Sequence, residues 1–144
     1  MTKRATAKAS ATLVQHINPD HLPKNSAFTW VVSVTEPAKT VYIGGLDAVD
    51  ASGTIVGKDD IGKQTEQVVK NLQAALDAAG AKPEHVVKWN IYIVQGQSLR
   101  AGFQAFQRTW GQQSNPPAIT GVFVAGLANP DFLVEIDAIA VIPQ

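Results

Sequence analysis

Two carboxylates near the end of the chain are the residues best suited to chemistry. Glu135 and Asp137 lie in the apolar run 133–141, where alternation puts both on one face of a predicted strand. Buried carboxylates are costly without partners, so an acidic pair in a strand predicted to be central requires an explanation. Either both lie on a solvated sheet face, or a carboxylate lines a pocket and acts as a general acid or base.

The glycine pair Gly44–Gly45 is the second candidate feature. It ends a predicted strand of β-branched and aromatic residues. A glycine pair in this position marks a bulge or turn, or a place where the backbone approaches a ligand closely. The residues by themselves leave both interpretations open.

Several other kinds of site are not expected. The chain has no cysteine, which removes thiol nucleophiles, disulfides and thiolate metal sites. His16, His21 and His85 are scattered without the spacing of metal ligands, so no metal site is predicted. The glycine-rich nucleotide motifs and the G-x-S-x-G motif do not occur, and we predict no cofactor.

The charge distribution disfavours nucleic-acid binding. Twelve basic and twelve acidic residues give a net charge of zero, and no Lys or Arg follows Arg108. RNA binding needs a basic stripe with interleaved aromatic residues, which this chain lacks. No apolar stretch is long enough for a membrane span, and no apolar region follows the basic residues of the N-terminus. We therefore expect a cytoplasmic protein that does not bind membranes.

The pattern along the chain predicts one α+β domain over residues 1–144, with residues 1–10 as a flexible tail. Two segments, 60–79 and 98–110, have the 3.6-residue apolar period of helices. Short runs rich in Val, Ile and aromatic residues predict five strands, at 28–34, 40–46, 86–94, 118–124 and 132–142.

The element order is therefore β-β-α-β-α-β-β, with a possible extra strand near Leu13. This order predicts a mixed sheet with both helices on one face. Pro37, in the turn 36–39, favours a hairpin between the first two strands. Asp59 or Asp60 can cap the first helix, and Gly80 can end it.

Five motifs in order resemble the Rid family (reactive-intermediate deaminases), also called the YjgF or L-PSP endoribonuclease family. The resemblance spans nearly the whole chain. The matching segments are 40–45, 64–72, 78–88, 117–118 and 134–140.

This resemblance implies a chorismate-mutase-like fold assembled as a homotrimeric barrel, with small-molecule clefts between adjacent subunits. In typical members an arginine after Pro-Ala binds the substrate carboxylate. The glutamate of the Val-Glu-Ile strand positions a water that hydrolyses an imine to a ketone and ammonia. Carried over by position, that glutamate is Glu135, the one expected catalytic residue.

The departures from the family pattern are concentrated at the ligand-binding positions. The arginine position is Ile119, and no basic residue follows it in the chain. The other expected ligand-binding positions fall on Phe28, Gly44, Gly45, Phe103 and Gly121. These residues predict an apolar cleft in which Glu135 is the one ionisable group.

Two functions fit these residues. The first is an imine or enamine deaminase whose substrate range is altered by the exchange of arginine for Ile119. The alternative is a non-catalytic trimer that binds small molecules in its inter-subunit clefts. The ribonuclease activity that the family's older name suggests is disfavoured by the charge distribution.

Overall fold

A computed structural model describes residues 13–35 and 37–144 of the chain. The predicted element order is confirmed, including the additional strand that begins at Leu13. A short 3₁₀ turn, Pro83–His85, precedes the fourth strand. The strands are β1 Leu13–Ile17, β2 Val31–Thr35, β3 Ala38–Leu46, β4 Val86–Val94, β5 Ala118–Val124 and β6 Val134–Pro143, and the helices are α1 Ile61–Ala78 and α2 Leu99–Trp110. The tail expected at residues 1–10 lies outside the described residues.

The main sheet has four strands in the order β3-β6-β4-β5. Strand β6 is antiparallel to both of its neighbours, whereas β4 and β5 are parallel and are joined through α2. The sheet is therefore mixed, and the strand that carries Glu135 is central, as the sequence predicted.

The predicted hairpin between the first two strands is wrong. Strand β2, which was predicted to pair with β3, pairs instead with β1 in a separate two-stranded sheet, with Val31 opposite Ile17. Pro37 has no N–H to donate, so the ladder cannot continue through it. Strand β3 pairs with β6 instead, because this pairing aligns its apolar residues Val41 and Ile43 with the core-facing residues of β6.

Both helices begin at side-chain caps. Asp60 accepts a hydrogen bond from the backbone N–H of Lys63 at 3.0 Å, and Ser98 accepts one from Ala101 at 3.1 Å. Such caps satisfy backbone donors that the first helical turn leaves free. Gly80, just beyond α1, has a φ of +74°, the left-handed conformation expected at a helix end.

One face of the four-stranded sheet, here called the helix face, packs against α1 and α2. Its buried side chains include Trp89 of β4, which contacts Phe106 and Trp110 of α2 at ring-centroid distances of 5.1 and 4.8 Å. Alternation along β6 gives the helix face Val134, Ile136, Ala138 and Ala140, all buried.

The opposite face of the sheet, here called the open face, carries the polar side chains. Glu135, Asp137 and Ile139 of β6 point to this side, as the alternation predicted. Tyr42 of β3, opposite Ile139 in the ladder, is 78% exposed. The helices of the described residues therefore leave this face uncovered.

One buried side chain fixes the entry to β6. Gln64 of α1 is fully buried; its Nε2 donates to the carbonyl of Asp131 at 2.8 Å, and its Oε1 accepts from the N–H of Leu133 at 2.9 Å. The loop that leads to Glu135 is therefore held by the first helix.

Candidate functional site

Glu135 lies near the start of β6 beside an irregularity in β3. Ile43 pairs with Ala138 and Leu46 pairs with Ile136, so two glycines stand where one residue would otherwise oppose Asp137. Gly44 and Gly45 therefore form a β-bulge, which is one of the two interpretations that the sequence left open.

Gly45 also receives the side chain of Glu135. A Cβ atom added at Gly45 would lie 2.7 Å from both Cδ and Oε2 of Glu135, whereas one added at Gly44 would meet nothing within 4 Å. The absence of a side chain at Gly45 thus makes room for the carboxyl group. Of the two glycines, Gly45 shapes the site and Gly44 faces open space.

A second carboxyl group belongs to this site. Asp47 follows directly after β3, and the antiparallel register that pairs Leu46 with Ile136 brings it opposite Glu135, where the two carboxyl groups can form a hydrogen bond once one of them is protonated. Burial, this hydrogen bond and the negative charge of Glu135, in that order, raise the pKa of Asp47 from its ordinary 3.8 to about 7. Its Oδ1 atom is buried and has no hydrogen-bond partner among the described residues.

The expectation that Glu135 is the one ionisable group of its surroundings is therefore wrong. Sequence reasoning missed Asp47 because the contact between Asp47 and Glu135 arises from the pairing of β3 with β6. The available signal was an acidic residue placed immediately after an apolar strand and a glycine pair.

The first helix anchors the loop that carries Asp47. Nδ2 of Asn71 donates to the backbone carbonyls of Asp47 and Val49 at 2.9 and 2.8 Å. Oδ1 of Asn71 accepts from Nε2 of Gln67, one helical turn earlier, at 2.9 Å. With its amide thus oriented, Asn71 fixes the backbone from which the Asp47 carboxyl group extends.

Asp137 has a different role on the same face. It accepts hydrogen bonds from Nδ2 of Asn90 at 2.7 Å and from the hydroxyl of Tyr92 at 3.1 Å. The hydrogen bond to Asp137 is the main cause that raises the pKa of Tyr92. Both oxygens of Asp137 are thus engaged within the sheet, which leaves Glu135 as the acidic residue of β6 that is available for chemistry.

The aromatic and aliphatic site residues lie elsewhere. Phe103 and Ile119 line a cavity of about 700 Å³ together with Trp89, Phe106 and Trp110. Trp89 is 1% exposed, and its Nε1 has no hydrogen-bond partner among the described residues. Amide side chains complete the rim, and no charged residue lines this cavity in the described part of the chain.

Phe28 and Gly121 lie outside that cavity. Phe28 lines an adjoining space of about 590 Å³ and packs edge-to-face against Trp30, with ring centroids 4.9 Å apart. Gly121 aligns with Ile91 in the β4–β5 ladder, and a Cβ added there would meet nothing within 4 Å.

Ile119 and Glu135 lie on opposite faces of the sheet. Ile119 aligns with Trp89 and shares the helix face with it, whereas Glu135 aligns with Tyr92 on the open face. A single chain therefore does not bring the two side chains into one cleft. A cleft that contains both requires the helix face of one chain and the open face of another.

Among residues 13–35 and 37–144, no three or more His, Cys, Asp or Glu side chains come together in a group able to hold a metal ion. Nδ1 of His85 accepts a hydrogen bond from the N–H of Lys82 in the 3₁₀ turn. Within the same residues, neither helix is both long and apolar enough to cross a membrane.

Comparison with known proteins gives a family match over most of the chain. The family model described as Endoribonuclease L-PSP matches residues 8–142. A RutC family protein of Synechocystis is 38% identical over 104 residues, which cover 72% of this chain and 78% of the relative.

Solved structures agree with that match. A Rid family protein of unknown function from Yersinia pestis has a TM-score of 0.77 and 32% identity, covering 88% of this chain and 97% of that one. A RidA protein from an Antarctic Psychrobacter has a TM-score of 0.65 and 27% identity, covering 89% and 99%.

Proposed function

The chain belongs to the Endoribonuclease L-PSP family, also called the Rid or YjgF family, and on this premise we propose that it hydrolyses the C=N bond of small imines, including imines that form from enamines by tautomerisation. The observation that carries the proposal is the placement of Glu135. Its carboxyl group lies over the backbone of Gly45, and the β3–β6 register brings the carboxyl group of Asp47 opposite it. This is a confined carboxyl group with an acidic partner, suited to general acid–base catalysis.

In the proposed reaction Glu135 orients a water molecule against the imine carbon. The carboxylate accepts a proton from the water as the C–O bond forms, and the π electrons of the C=N bond move to nitrogen. Collapse of the resulting carbinolamine gives a ketone or aldehyde and ammonia.

The substrate is expected to be apolar and to lack a carboxylate at the position that faces Ile119. A guanidinium holds a carboxylate with two parallel hydrogen bonds, which contribute both affinity and orientation. Ile119 has no such donor, and the cavity beside it is lined by aromatic rings and amides.

The assembly that we propose is a homotrimer with clefts between neighbouring subunits. The separation of Ile119 and Glu135 on opposite faces of the sheet supports this assembly, since each chain supplies one wall of a two-chain cleft. The open face is uncovered, with Tyr42 78% exposed among its polar side chains, and so offers surface for such contacts.

An ammonia-release assay on imines generated in situ tests the proposal. Glu135→Gln is expected to lower the rate about 10²–10⁴-fold, the usual contribution of a general acid–base group. Glu84→Gln makes the same chemical change at an exposed residue and is expected to leave the rate unaltered. Equal rates in the wild type and Glu135→Gln would refute the proposed role of Glu135.

A second candidate function is favoured by the aromatic cavity. A cavity of about 700 Å³ with a buried, unpartnered N–H on Trp89 suits a small neutral ligand that carries a hydrogen-bond acceptor. Two of the three tryptophans, Trp89 and Trp110, line it, so their fluorescence reports on occupancy. Quenching by a panel of aromatic amides without any ammonia release would favour binding over catalysis.

A further inference from the structure

We propose that Asp47 and Glu135 form one carboxyl pair that holds a single proton, with Asp47 as the residue that positions Glu135. Asp47 does not belong to the family pattern described above and lies outside every motif that carried the resemblance. The inference rests on the proposed hydrolase function only for its catalytic consequence. The pair itself stands on the β3–β6 register, which brings Asp47 opposite Glu135, and on the approach of the Glu135 carboxyl group to Gly45.

Two carboxyl groups placed opposite each other by the β3–β6 register can form a hydrogen bond only with a proton between them. Ionised carboxylates have only acceptor oxygens, so two of them can be hydrogen-bonded to one another only when one carries a proton. Burial disfavours the charged form of Asp47 and raises its pKa to about 7. We therefore assign the proton to Asp47.

The surroundings hold both carboxyl groups in place. Asn71 fixes the backbone of Asp47 from the side of α1, and the bulge at Gly45 admits the carboxyl group of Glu135 from the side of β3. Neither residue takes part in any of the ion pairs formed by the described residues. No cation at ion-pair distance therefore competes for the proton.

The other ionisable groups around the pair are already engaged. On β4, Tyr92 faces Glu135 but donates its hydroxyl hydrogen to Asp137, the next acidic residue of β6. In the loop beyond Asp47, the carboxyl group of Asp50 accepts hydrogen bonds from Ser52 and Thr54, which lower its pKa. On α1, Asn71 contacts the pair through the backbone carbonyl of Asp47, and its amide does not titrate.

The pair can serve both halves of the proposed hydrolysis. As water attacks, Glu135 takes the proton of the water, and the pair then holds two protons. One of them passes to the imine nitrogen, which gives a neutral carbinolamine. When the C–N bond breaks, the nitrogen leaves with the bonding electrons and takes a proton from the pair, while the hydroxyl proton returns to it. The products are the carbonyl compound and ammonia, and the pair again holds one proton.

A titration of the aspartate side-chain carbons by NMR tests the pair without any substrate. In the wild type, one aspartate is expected to titrate near pH 7. That signal is expected to vanish in Asp47→Asn and to move down by about 1 pH unit or more in Glu135→Gln, where the charge and hydrogen bond of Glu135 are lost. Asp20→Asn removes an exposed carboxyl group elsewhere and is expected to leave it unchanged.

The pH dependence of ammonia release then tests the positioning role. The wild-type rate is expected to fall above pH 7, as Asp47 loses its proton and repels Glu135. Asn at position 47 donates a hydrogen bond at every pH, so Asp47→Asn should keep its rate on the alkaline side. Asp47→Leu cannot donate and should be slow, about tenfold or more, at all pH values. A residue needed only for folding would not shift the pH profile in this way.

Two results would overturn the inference: no aspartate titrating between pH 6 and 8 in the wild type, or such a signal that persists in Asp47→Asn. The failure of the proposed function is a separate result, because the NMR titration needs no turnover. If an aspartate titrates near pH 7 but the protein releases no ammonia, the carboxyl pair is supported and the proposed hydrolase function is refuted.

Discussion

The raised pKa of Asp47 makes the free energy of unfolding depend on pH in a definite direction. In the unfolded chain this carboxyl group is ionised above about pH 4, whereas in the fold its pKa is about 7. Between these values the folded state binds one more proton than the unfolded state. The contribution of Asp47 to stability is therefore full below about pH 4, declines as the pH rises and is lost above about pH 7.

Asp47→Asn is expected to raise the melting temperature relative to the wild type, by more at pH 8 than at pH 5. The amide avoids burying a charge beside Glu135 at the higher pH and replaces a protonated acid at the lower one. Thermal unfolding followed by circular dichroism at both pH values measures the difference. The exposed Asp20→Asn serves as control and should show the same small effect at both. A pH-independent effect of Asp47→Asn would contradict the assignment.

Ile119 bears on which imines the protein can use. Because a charge-assisted contact to a carboxylate is worth about 1.5–3 kcal/mol, we expect 2-imino acids to be poor substrates. Ile119→Arg alone should not make an efficient imino-acid deaminase, since Phe28 and Phe103 still line apolar surroundings. In a two-chain cleft the new guanidinium would also pair with Glu135 of the neighbouring chain.

Adding Phe28→Tyr and Phe103→Asn to Ile119→Arg is expected to help more than additively, because residues that share a site couple by roughly 0.5–3 kcal/mol. Rates on 2-iminopropanoate for each single variant and for the triple variant measure this coupling. Full activity from Ile119→Arg alone would show that the arginine was the one missing group.

At the scale of the elements, the bulge in β3 gives a matched pair of substitutions. Gly45→Ala places a Cβ 2.7 Å from the carboxyl carbon of Glu135, whereas Gly44→Ala places one in open space. Because the contacted atoms are at the end of a flexible side chain, Glu135 should move and the backbone should stay. Gly45→Ala should therefore keep its melting temperature within a few degrees and lose ammonia release.

The aspartate titration near pH 7 should also shift in Gly45→Ala and remain in Gly44→Ala. Both variants carry the same added methyl group, so the difference between them isolates the contact with Glu135. If the two variants release ammonia at the same rate, the close approach at Gly45 has no part in the function.

The elements themselves were largely predictable because their signals are local. The expected cap at Asp60 and the apolar periods of α1 and α2 lie within a few residues of the structure they specify, and they predicted both helices almost to the residue. The pairing partner of a strand is not a local property. The wrong hairpin at Pro37 and the unseen contact between Asp47 and Glu135 share this cause, since β3 pairs with a strand near the other end of the chain.

The apolar pattern of α2 predicted the helix but not which of its apolar side chains are buried within the chain. Phe106 and Trp110 pack against Trp89, but Leu99 and Phe103 of the same helical stripe are 56% and 48% exposed. A periodic apolar residue marks a surface that becomes buried, and the sequence does not say whether the same chain or another one buries it. Of these two exposed side chains, Phe103 lines the same cavity as Ile119 and extends its apolar surface.

At the scale of the whole molecule, the opposite placement of Ile119 and Glu135 ties the function to the assembly. Strand β6 is central, so the sheet separates its two faces completely at Glu135. If both residues serve one substrate, they must come from different chains. We therefore expect a trimer, with a mass by light scattering near three times the 15.3 kDa of one chain.

Cross-linking through introduced cysteines tests this arrangement, because the chain has no cysteine of its own. In Ile119→Cys/Glu135→Cys, a short bifunctional maleimide is expected to join neighbouring chains and to give covalent dimers and trimers in denaturing gels. In Lys70→Cys/Ile119→Cys, the first cysteine lies on the exposed side of α1, away from the open face, and only monomers are expected. Since the sheet lies between residues 119 and 135 of one chain, a product linked within a single chain would contradict their placement on opposite faces. A monomeric mass, together with the absence of intermolecular products, would show that Ile119 and Glu135 do not share a cleft. Any activity of Glu135 would then not involve Ile119.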